Sequence, residues 1–301
     1  MRSLARILFA LGALIAVPAV ATADGADAHY KQGLAYKQQG KSDEAIAALE
    51  KAVAANPRHG MAWSSLGNLY KAKGDMAKAV AAYENATAVI KKDKVLWANL
   101  GMAYYRNNQV DKAVEALVTA SKLAPKDAEI RGNLGAVRRK KGDLPGAIAD
   151  LEMATKLAPD EAQYWNNLGV AYTHAKRVDD AQKAYKKATE LAPSDPTFAF
   201  NLGTSYRRKE MYDEAQVAYE KAVSLDPGNA DAWFDLGFVY KQNHYNDKAI
   251  EAFNKYLELN KGKDPAAQQR IEEEIGALGG TVSSTAKKPA RKPAKSAAKK
   301  K

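Results

Sequence analysis

The sequence predicts an all-α protein built as a row of repeated helix pairs. Glycine recurs every 34 residues from Gly33 to Gly237, which reveals an internal repeat. Within each repeat, apolar residues follow the i, i+3, i+4, i+7 spacing of one helix face, and then a second such face. Proline follows the second face in most repeats and ends that helix. One pair is too small to bury its own apolar face, so stability should come from stacking on neighbouring pairs.

When the recurring glycine is numbered position 8, the chain divides into seven units that follow residue 24. The predicted units are residues 26–59, 60–93, 94–127, 128–161, 162–195, 196–229 and 230–263.

Positions 4, 7, 8 and 11 form the buried face of the first helix of each unit. Position 4 holds tryptophan in four units, position 7 holds leucine in six and position 11 holds tyrosine in six. The aromatic and leucine side chains should fill the space between successive pairs, while glycine lets helices approach closely. The tryptophans are Trp63, Trp97, Trp165 and Trp233.

Positions 20, 24 and 27 form the buried face of the second helix. Alanine occupies position 20 in every unit and position 27 in six, and position 24 is leucine, tyrosine or phenylalanine. Proline stands at position 32 in five units. A turn between the two helices is indicated by Gly74-Asp75 and Gly142-Asp143.

These residues resemble the signature of the tetratricopeptide repeat, and the resemblance covers residues 26–263. It implies a right-handed superhelix, an α-solenoid, whose concave surface is lined by the first helices. Two units depart from the pattern. The first has His29 and Gln32 at core positions, as an end repeat does. The fourth has Arg131 and Arg138, which predicts a poorer core and a softer array there. Residues 264–280 predict a solvating cap helix through Ile271 and Ile275.

The first 23 residues predict a secretory signal peptide. Two arginines precede an apolar run from Ile7 to Ala21, and small-x-small sites end at Ala21 and Ala23. An uncleaved N-terminal anchor is the alternative interpretation, but the apolar run is shorter than the roughly 20 residues that span a bilayer. Cleavage after Ala23 predicts a mature chain without a membrane span, and we expect its export to a bacterial periplasm.

The net charge of +11 comes from the ends of the chain. Residues 281–301 contain eight cations and no acid, and residues 24–280 carry only +1. The tail has one charge sign and no apolar period, so we predict disorder and salt-dependent binding to a polyanion, namely lipopolysaccharide, anionic lipid or nucleic acid. A purely solubilising role is the alternative. The tail cations are Lys287, Lys288, Arg291, Lys292, Lys295, Lys299, Lys300 and Lys301.

Positions 2, 5, 6, 9, 12 and 13 point away from the core face of the first helix and predict a peptide-binding groove. Position 6 is asparagine in four successive units, and an amide can pair with the backbone of an extended peptide whatever its sequence. Solvated amides with no ligand are the alternative. The asparagines are Asn99, Asn133, Asn167 and Asn201.

Cations and phenylalanines extend this predicted groove. Cations at positions 12 and 13 would attract an acidic segment, although they also complement the helix dipole in the last turn. Phenylalanines at positions 5 and 9 predict an aromatic pocket, or ordinary packing against a neighbour. The groove residues of these two kinds are Arg106, Arg139, Lys140, Arg207, Arg208, Phe200, Phe234 and Phe238.

No catalytic or metal chemistry is predicted. The chain has no cysteine, and its four histidines fall at four different repeat positions. No constellation of nucleophile, base and orienting group is present. We therefore predict a non-catalytic scaffold that binds a protein or peptide, with no cofactor and no small-molecule substrate; polyanion binding through the tail is the competing prediction.

Overall fold

The computed structural model describes residues 23–283, and side chains from residue 25 onward. All regular secondary structure in this range is α-helical, which confirms the predicted fold class. The tail from residue 284 and residues 1–22 of the predicted signal peptide lie outside the described residues. The chain divides into two compact units, one ending at Leu123 and the other beginning at Ala124.

The first unit contains three consecutive helix pairs. In each pair, a turn of three residues connects the two helices. Its helices are α1 (Ala23–Gln38), α2 (Ser42–Ala55), α3 (Gly60–Ala72), α4 (Met76–Val89), α5 (Lys94–Arg106) and α6 (Val110–Leu123).

The second unit contains four further pairs and a final single helix. Its helices are α7 (Ala128–Lys141), α8 (Leu144–Leu157), α9 (Ala162–His174), α10 (Val178–Leu191), α11 (Pro196–Arg208), α12 (Tyr212–Leu225), α13 (Ala230–Gln242), α14 (Asn246–Leu259) and α15 (Pro265–Ala277).

The recurring glycine allows the two helices of a pair to touch. A Cβ atom on Gly67 would lie 2.6 Å from the ring of Tyr83, and one on Gly237 would lie 2.5 Å from the ring of Phe253. Both rings are fully buried. No side chain fits at these contacts, and this explains the 34-residue period of glycine.

The turn inside each pair contains one residue in the left-handed region, at position 15. Glycine occupies this position in three pairs, and four other residue types occupy it in the remaining pairs. These residues are Gly40, Gly74, Asn108, Gly142, Lys176, Glu210 and His244, with φ between 57° and 92°.

Each tryptophan ties the start of its helix to the turn before it. The indole Nε1 donates to the backbone carbonyl six residues earlier, at position 32 of the preceding 34-residue repeat. The bonds run from Trp63 to Pro57, Trp97 to Lys91, Trp165 to Pro159 and Trp233 to Pro227, at 2.8–3.0 Å. The rings are half-buried, because this bond holds one edge at the surface.

Tyrosines at position 11 join successive pairs within a unit. Four of the six hydroxyls donate to a glutamate 20 residues earlier, on the second helix of the preceding pair. The bonds are Tyr70 to Glu50, Tyr104 to Glu84, Tyr172 to Glu152 and Tyr240 to Glu220, at 2.5–2.8 Å.

The α7–α8 pair has an ionic core where the other pairs are apolar. Asp150 is 3% exposed and accepts hydrogen bonds from Arg131 and Arg138, both at 2.7 Å. Position 23, which Asp150 occupies, is alanine in the other six pairs. The prediction of a poorer core considered the two arginines alone, whereas the structure gives both of them a buried partner.

The final helix covers the end of the second unit. Asp264 caps its N-terminus by accepting from the backbone N–H groups of Ala266 and Ala267. Ile271 and Ile275 are buried against α13 and α14, as the cap-helix prediction required.

Candidate peptide-binding surface

The predicted groove residues are distributed over both units. Asn99 and Arg106 lie on α5 in the first unit, and the others lie on α7, α9, α11 and α13 in the second. We call the side of these four helices that carries positions 5, 6, 9, 12 and 13 the first-helix surface of the second unit. It contains most of the predicted site, so its geometry is described in detail.

The position-6 asparagines are half-buried rather than free in solvent. Asn201 on α11 donates to Oδ1 of the buried Asn166 on α9 at 2.8 Å. Asn167 accepts from Gln163 at 3.1 Å. Asn133 makes no side-chain hydrogen bond to any residue between 25 and 283. Since an amide offers two N–H groups and one oxygen, each of the three keeps capacity for a ligand.

In the first unit, the corresponding asparagine is held by a lysine. Lys71 on α3 donates from Nζ to Oδ1 of Asn99 on α5 at 3.0 Å. The amide N–H groups of Asn99 therefore remain as its donors to a ligand. Arg106, in the last turn of α5, is exposed.

A buried acidic residue on α13 organises the neighbouring cluster. Asp235 accepts from the hydroxyl of Tyr219 at 3.1 Å and pairs with Arg207 at 3.5 Å. The Oγ1 atom of Thr204 lies 3.1 Å from the oxygen of the same hydroxyl. Burial raises the pKa of Asp235, although Arg207 opposes this shift. Burial, assisted by Asp235, raises the pKa of Tyr219 to about 12.

The other predicted cations differ from Arg207. Arg139 is half-buried in the last turn of α7, while Lys140 and Arg208 are exposed at the ends of α7 and α11. None of these three forms an ion pair with a residue that the structure describes. Among the predicted cations of this unit, Arg207 is therefore the one with an acidic partner between residues 25 and 283.

The predicted aromatic pocket is formed in part. Phe234 and Phe238 lie 5.1 Å apart, centroid to centroid, and line a cleft of about 420 Å³ between α13 and α15. Lys241 and Glu274 join across this cleft at 2.6 Å. Phe200 does not line the cleft and packs beside Tyr219 at 5.7 Å.

Sequence reasoning missed the residues that connect adjacent first helices. Asn166 at position 5 and Asp235 at position 6 are 6% and 8% exposed, because neighbouring first helices pack over these positions. The helical spacing assigned both positions to solvent. The sequence signal for these two contacts is a polar residue at position 5 or 6. Helical spacing alone does not show which residue of a neighbouring helix such a side chain contacts.

The described residues contain neither a cluster of metal-binding side chains nor a helix that could span a membrane. No group of three or more histidine, cysteine, aspartate and glutamate side chains is arranged to hold a metal ion between residues 25 and 283. Over residues 23–283, no helix combines the length and apolar character needed to cross a membrane.

Models of known protein families match most of the chain. Residues 5–143 match the C-terminal domain of cilia and flagella-associated protein 70, a TPR domain model. Tetratricopeptide repeat models match residues 137–196, 203–243 and 230–263. These matches define a helical repeat protein of the protein-interaction class. The chain is a tetratricopeptide repeat protein, as the repeat signature predicted. No curated protein sequence gives a significant match.

Solved structures of the same class are similar to the chain. MamA is 27% identical, with a TM-score of 0.52, over 55% of this chain and 96% of that one. YrrB, described as a TPR protein with an unusual peptide-binding site, is 22% identical with a TM-score of 0.54, over 65% and 100%. A tetratricopeptide repeat protein from Parabacteroides merdae is 15% identical with a TM-score of 0.61, over 84% and 98%. The last two likenesses show the fold alone.

Proposed function

We propose that this protein is a non-catalytic scaffold of the bacterial cell envelope that binds an extended protein segment on the first-helix surface of the second unit. Tetratricopeptide repeat proteins are generally non-catalytic interaction scaffolds. The peptide-binding site attributed to YrrB supports a segment rather than a small molecule as ligand.

One observation carries the proposal. The first helices of this unit lie side by side, and Asn201 joins α11 to α9 while Arg207 joins α11 to α13. These two bonds place Asn167 and Asn201 on one connected surface, and α7, which contacts α9, adds Asn133 to it. All three amides keep unused hydrogen-bonding capacity. An extended backbone has an unpaired N–H and C=O at each residue, so such a row of amides suits it.

The location in the envelope is proposed from the sequence. Residues 1–23 have the charged start, apolar run and small-x-small sites of an export signal. Mass spectrometry of the mature N-terminus tests this directly, with Asp24 expected as the first residue. A chain that starts at Met1 would contradict export.

The binding surface is tested by removing its amides. The triple variant Asn133→Ala, Asn167→Ala, Asn201→Ala should lose most partner capture from an envelope extract, with helicity by circular dichroism unchanged. Asn85→Ala is the matched control, because the side chain of this exposed asparagine bonds, among the described residues, to Ala81 of its own helix α4 alone. Equal capture by the triple variant and the control would remove the amides from the proposed function.

Polyanion binding through the tail is a second candidate. The observation in its favour is the run of eight cations without an acid in residues 287–301. Replacing these cations by glutamine should abolish salt-dependent binding to anionic vesicles, because counterion release makes such binding fall with salt. Binding that persists in that variant would place the contact elsewhere.

A further inference from the structure

We propose that the chain's own tail cations Lys287 and Lys288 bind in a cleft of the second unit, which we call the α14 cleft, and are thereby withheld from external anions. The cleft lies between α13, α14 and the segment after α15, and its volume is about 350 Å³. The inference goes beyond the proposed function, because it concerns a contact within the chain itself. The residues that line the cleft are Trp233, Glu251, Asn254, Lys255, Glu258 and Ser283.

The segment after α15 is attached to α14 up to the wall of this cleft. Asn254 holds it at two points: Nδ2 donates to the carbonyl of Thr281 at 3.2 Å, and Oδ1 accepts from the backbone N–H of Ser283 at 2.6 Å. Between these two residues, Val282 packs against the apolar core at the end of the second unit. The chain therefore enters the tail from a fixed point in the wall of the cleft.

The first tail cations are close enough in sequence to return to the cleft. Lys287, which lies beyond the described residues, follows Ser283 by four positions. Four residues extend over at most about 14 Å. A tether this short keeps a side chain near its site at an effective concentration of roughly millimolar order. A contact too weak to hold a separate peptide is therefore populated within the chain.

The cleft provides an acid for these cations. The side chain of Glu251 is exposed and makes no hydrogen bond or ion pair with another described residue. The other two charged residues of the cleft neutralise each other, because Lys255 pairs with Glu258 at 3.0 Å. Lys248, one turn before Glu251, lies over the ring of Tyr240, 5.4 Å from its centre. The cleft therefore keeps one negative charge, which complements a cationic segment.

The cleft also provides an aromatic ring. Trp233 is half-buried and lines the cleft, and tryptophan is the aromatic residue that attracts cations most strongly. Other helix pairs of this protein already contain such contacts: Lys78 lies 5.4 Å from the centre of the Tyr70 ring, and Arg177 lies 4.4 Å from that of Tyr172. An indole and an unpaired carboxylate in one cleft suit the ammonium group of a lysine.

This contact makes the tail partly self-inhibited. It engages two of the eight tail cations, so six stay available to an external polyanion. A polyanion that binds all eight must first displace Lys287 and Lys288 from the cleft. The apparent affinity of the tail falls by the fraction of molecules in which the cleft is occupied. It therefore depends on Glu251, a residue of the repeats.

Nuclear magnetic resonance of the full chain tests the contact through the four indole N–H signals. The double variant Lys287→Gln, Lys288→Gln should shift the signal of Trp233 and leave the other three in place. Lys299→Gln, Lys300→Gln is the matched control, because it removes the same charge from the far end of the tail, and it should shift none of them. An unmoved Trp233 signal in the first variant, or equal shifts in both, would overturn the proposal.

A double-mutant cycle tests the role of Glu251. In a Glu251→Gln background, the Lys287→Gln, Lys288→Gln change should no longer shift the Trp233 signal, because the acid that holds these cations is already gone. A shift of the same size in both backgrounds would show that the cations are held elsewhere and would overturn the site.

Vesicles of phosphatidylglycerol measure the competition. Glu251→Gln should raise the affinity of the full chain by about two- to fivefold, the range that one exposed ion pair contributes. Glu214→Gln is the matched control, because this exposed acid in the first turn of α12 does not line the cleft. It should leave the affinity unchanged, and equal gains in both variants would show general charge repulsion and overturn the competition.

The contact and the second candidate function fail separately. Vesicle binding that persists without the tail cations contradicts the tail as the polyanion site. The Trp233 signal accepts or rejects the contact in the cleft without any polyanion present.

Discussion

The α7–α8 and α9–α10 pairs show two ways of building the same core. In the α9–α10 pair, Trp165 donates its indole N–H to Pro159 at 2.8 Å. In the α7–α8 pair, Arg131 stands at the tryptophan position, and its Nε donates to Pro125 at 3.3 Å. The arginine therefore keeps the bond to the preceding turn while replacing the aromatic ring.

The second core position differs in the same way. Tyr172 donates its hydroxyl to Glu152 at 2.6 Å, whereas Arg138 reaches Asp150 at 2.7 Å. Ala184 fills the place of Asp150 in the apolar pair. Three positions have changed together, so the comparison teaches that the helix pair accepts charge in its core when every charge has a partner.

Removing the central acid should have the largest effect. Asp150→Ala restores the alanine of the other pairs but leaves Arg131 and Arg138 without their buried partner. We expect a loss of about 3 kcal/mol in unfolding free energy, near the lower end for a broken buried pair because both arginine side chains are one quarter exposed. Urea denaturation with local hydrogen exchange in α8 measures it.

The triple variant Arg131→Trp, Arg138→Tyr, Asp150→Ala is the control for this prediction. It rebuilds the apolar pattern of α9–α10, and it should be at least as stable as the natural chain because no charge is left unpaired. A loss of unfolding free energy equal to that of Asp150→Ala would contradict this. It would show that the ionic core stabilises the pair by more than neutralising its own charges.

The phenol of the apolar pair should make that pair sensitive to alkali. Burial, together with the hydrogen bond to Glu152, raises the pKa of Tyr172, while Arg177 opposes the shift. Because the folded-state pKa is raised, the stabilisation is complete below the ordinary tyrosine pKa of about 10 and is lost as pH rises above it. Tyr172→Phe should remove up to about 1.4 kcal/mol of that loss per pH unit.

Unfolding free energies of the natural chain and Tyr172→Phe between pH 9 and pH 11 check this prediction. The exposed Tyr245→Phe is the comparison variant. Parallel pH profiles for the natural chain and Tyr172→Phe would contradict it. The α7–α8 pair has Arg138 instead of a phenol at this position, so it lacks this source of alkaline loss.

The turns of the two pairs should give the smallest difference. Gly142 and Lys176 both have positive φ, at 92° and 59°. Lys176→Gly should gain about 0.5 kcal/mol, because relief of left-handed strain slightly exceeds the entropy cost of glycine. Gly142→Ala should lose about 1 kcal/mol for the opposite reason. Thermal unfolding of both variants decides this, and a destabilised Lys176→Gly would show that the turn holds lysine without strain.

The 34-residue period predicted the helices well, because core spacing depends on residues of one helix and its immediate partner. Gly67 illustrates this: its contact with Tyr83 recurs in the other pairs, so repetition alone revealed it. The cap helix was predicted equally directly from the spacing of Ile271 and Ile275.

Contacts that occur in a single 34-residue repeat could not be predicted in this way. The partner of Arg131 and Arg138 lies on another helix at a position that is alanine elsewhere, and a helix-by-helix inspection of the spacing does not connect them. The same holds for Asp235 and Arg207, which meet because α11 and α13 lie side by side. The candidate binding residues themselves remain predictions for the binding experiments.

The indole bonds to the preceding turns give the protein a set of built-in optical reporters. Each tryptophan fluoresces from the junction before its own helix, with Trp63 and Trp97 in the first unit and Trp165 and Trp233 in the second. The α7–α8 and α11–α12 pairs of the second unit are silent, because Arg131 and Ala199 stand where the chromophore would be. Single-tryptophan versions of the chain would therefore record the order in which its junctions open.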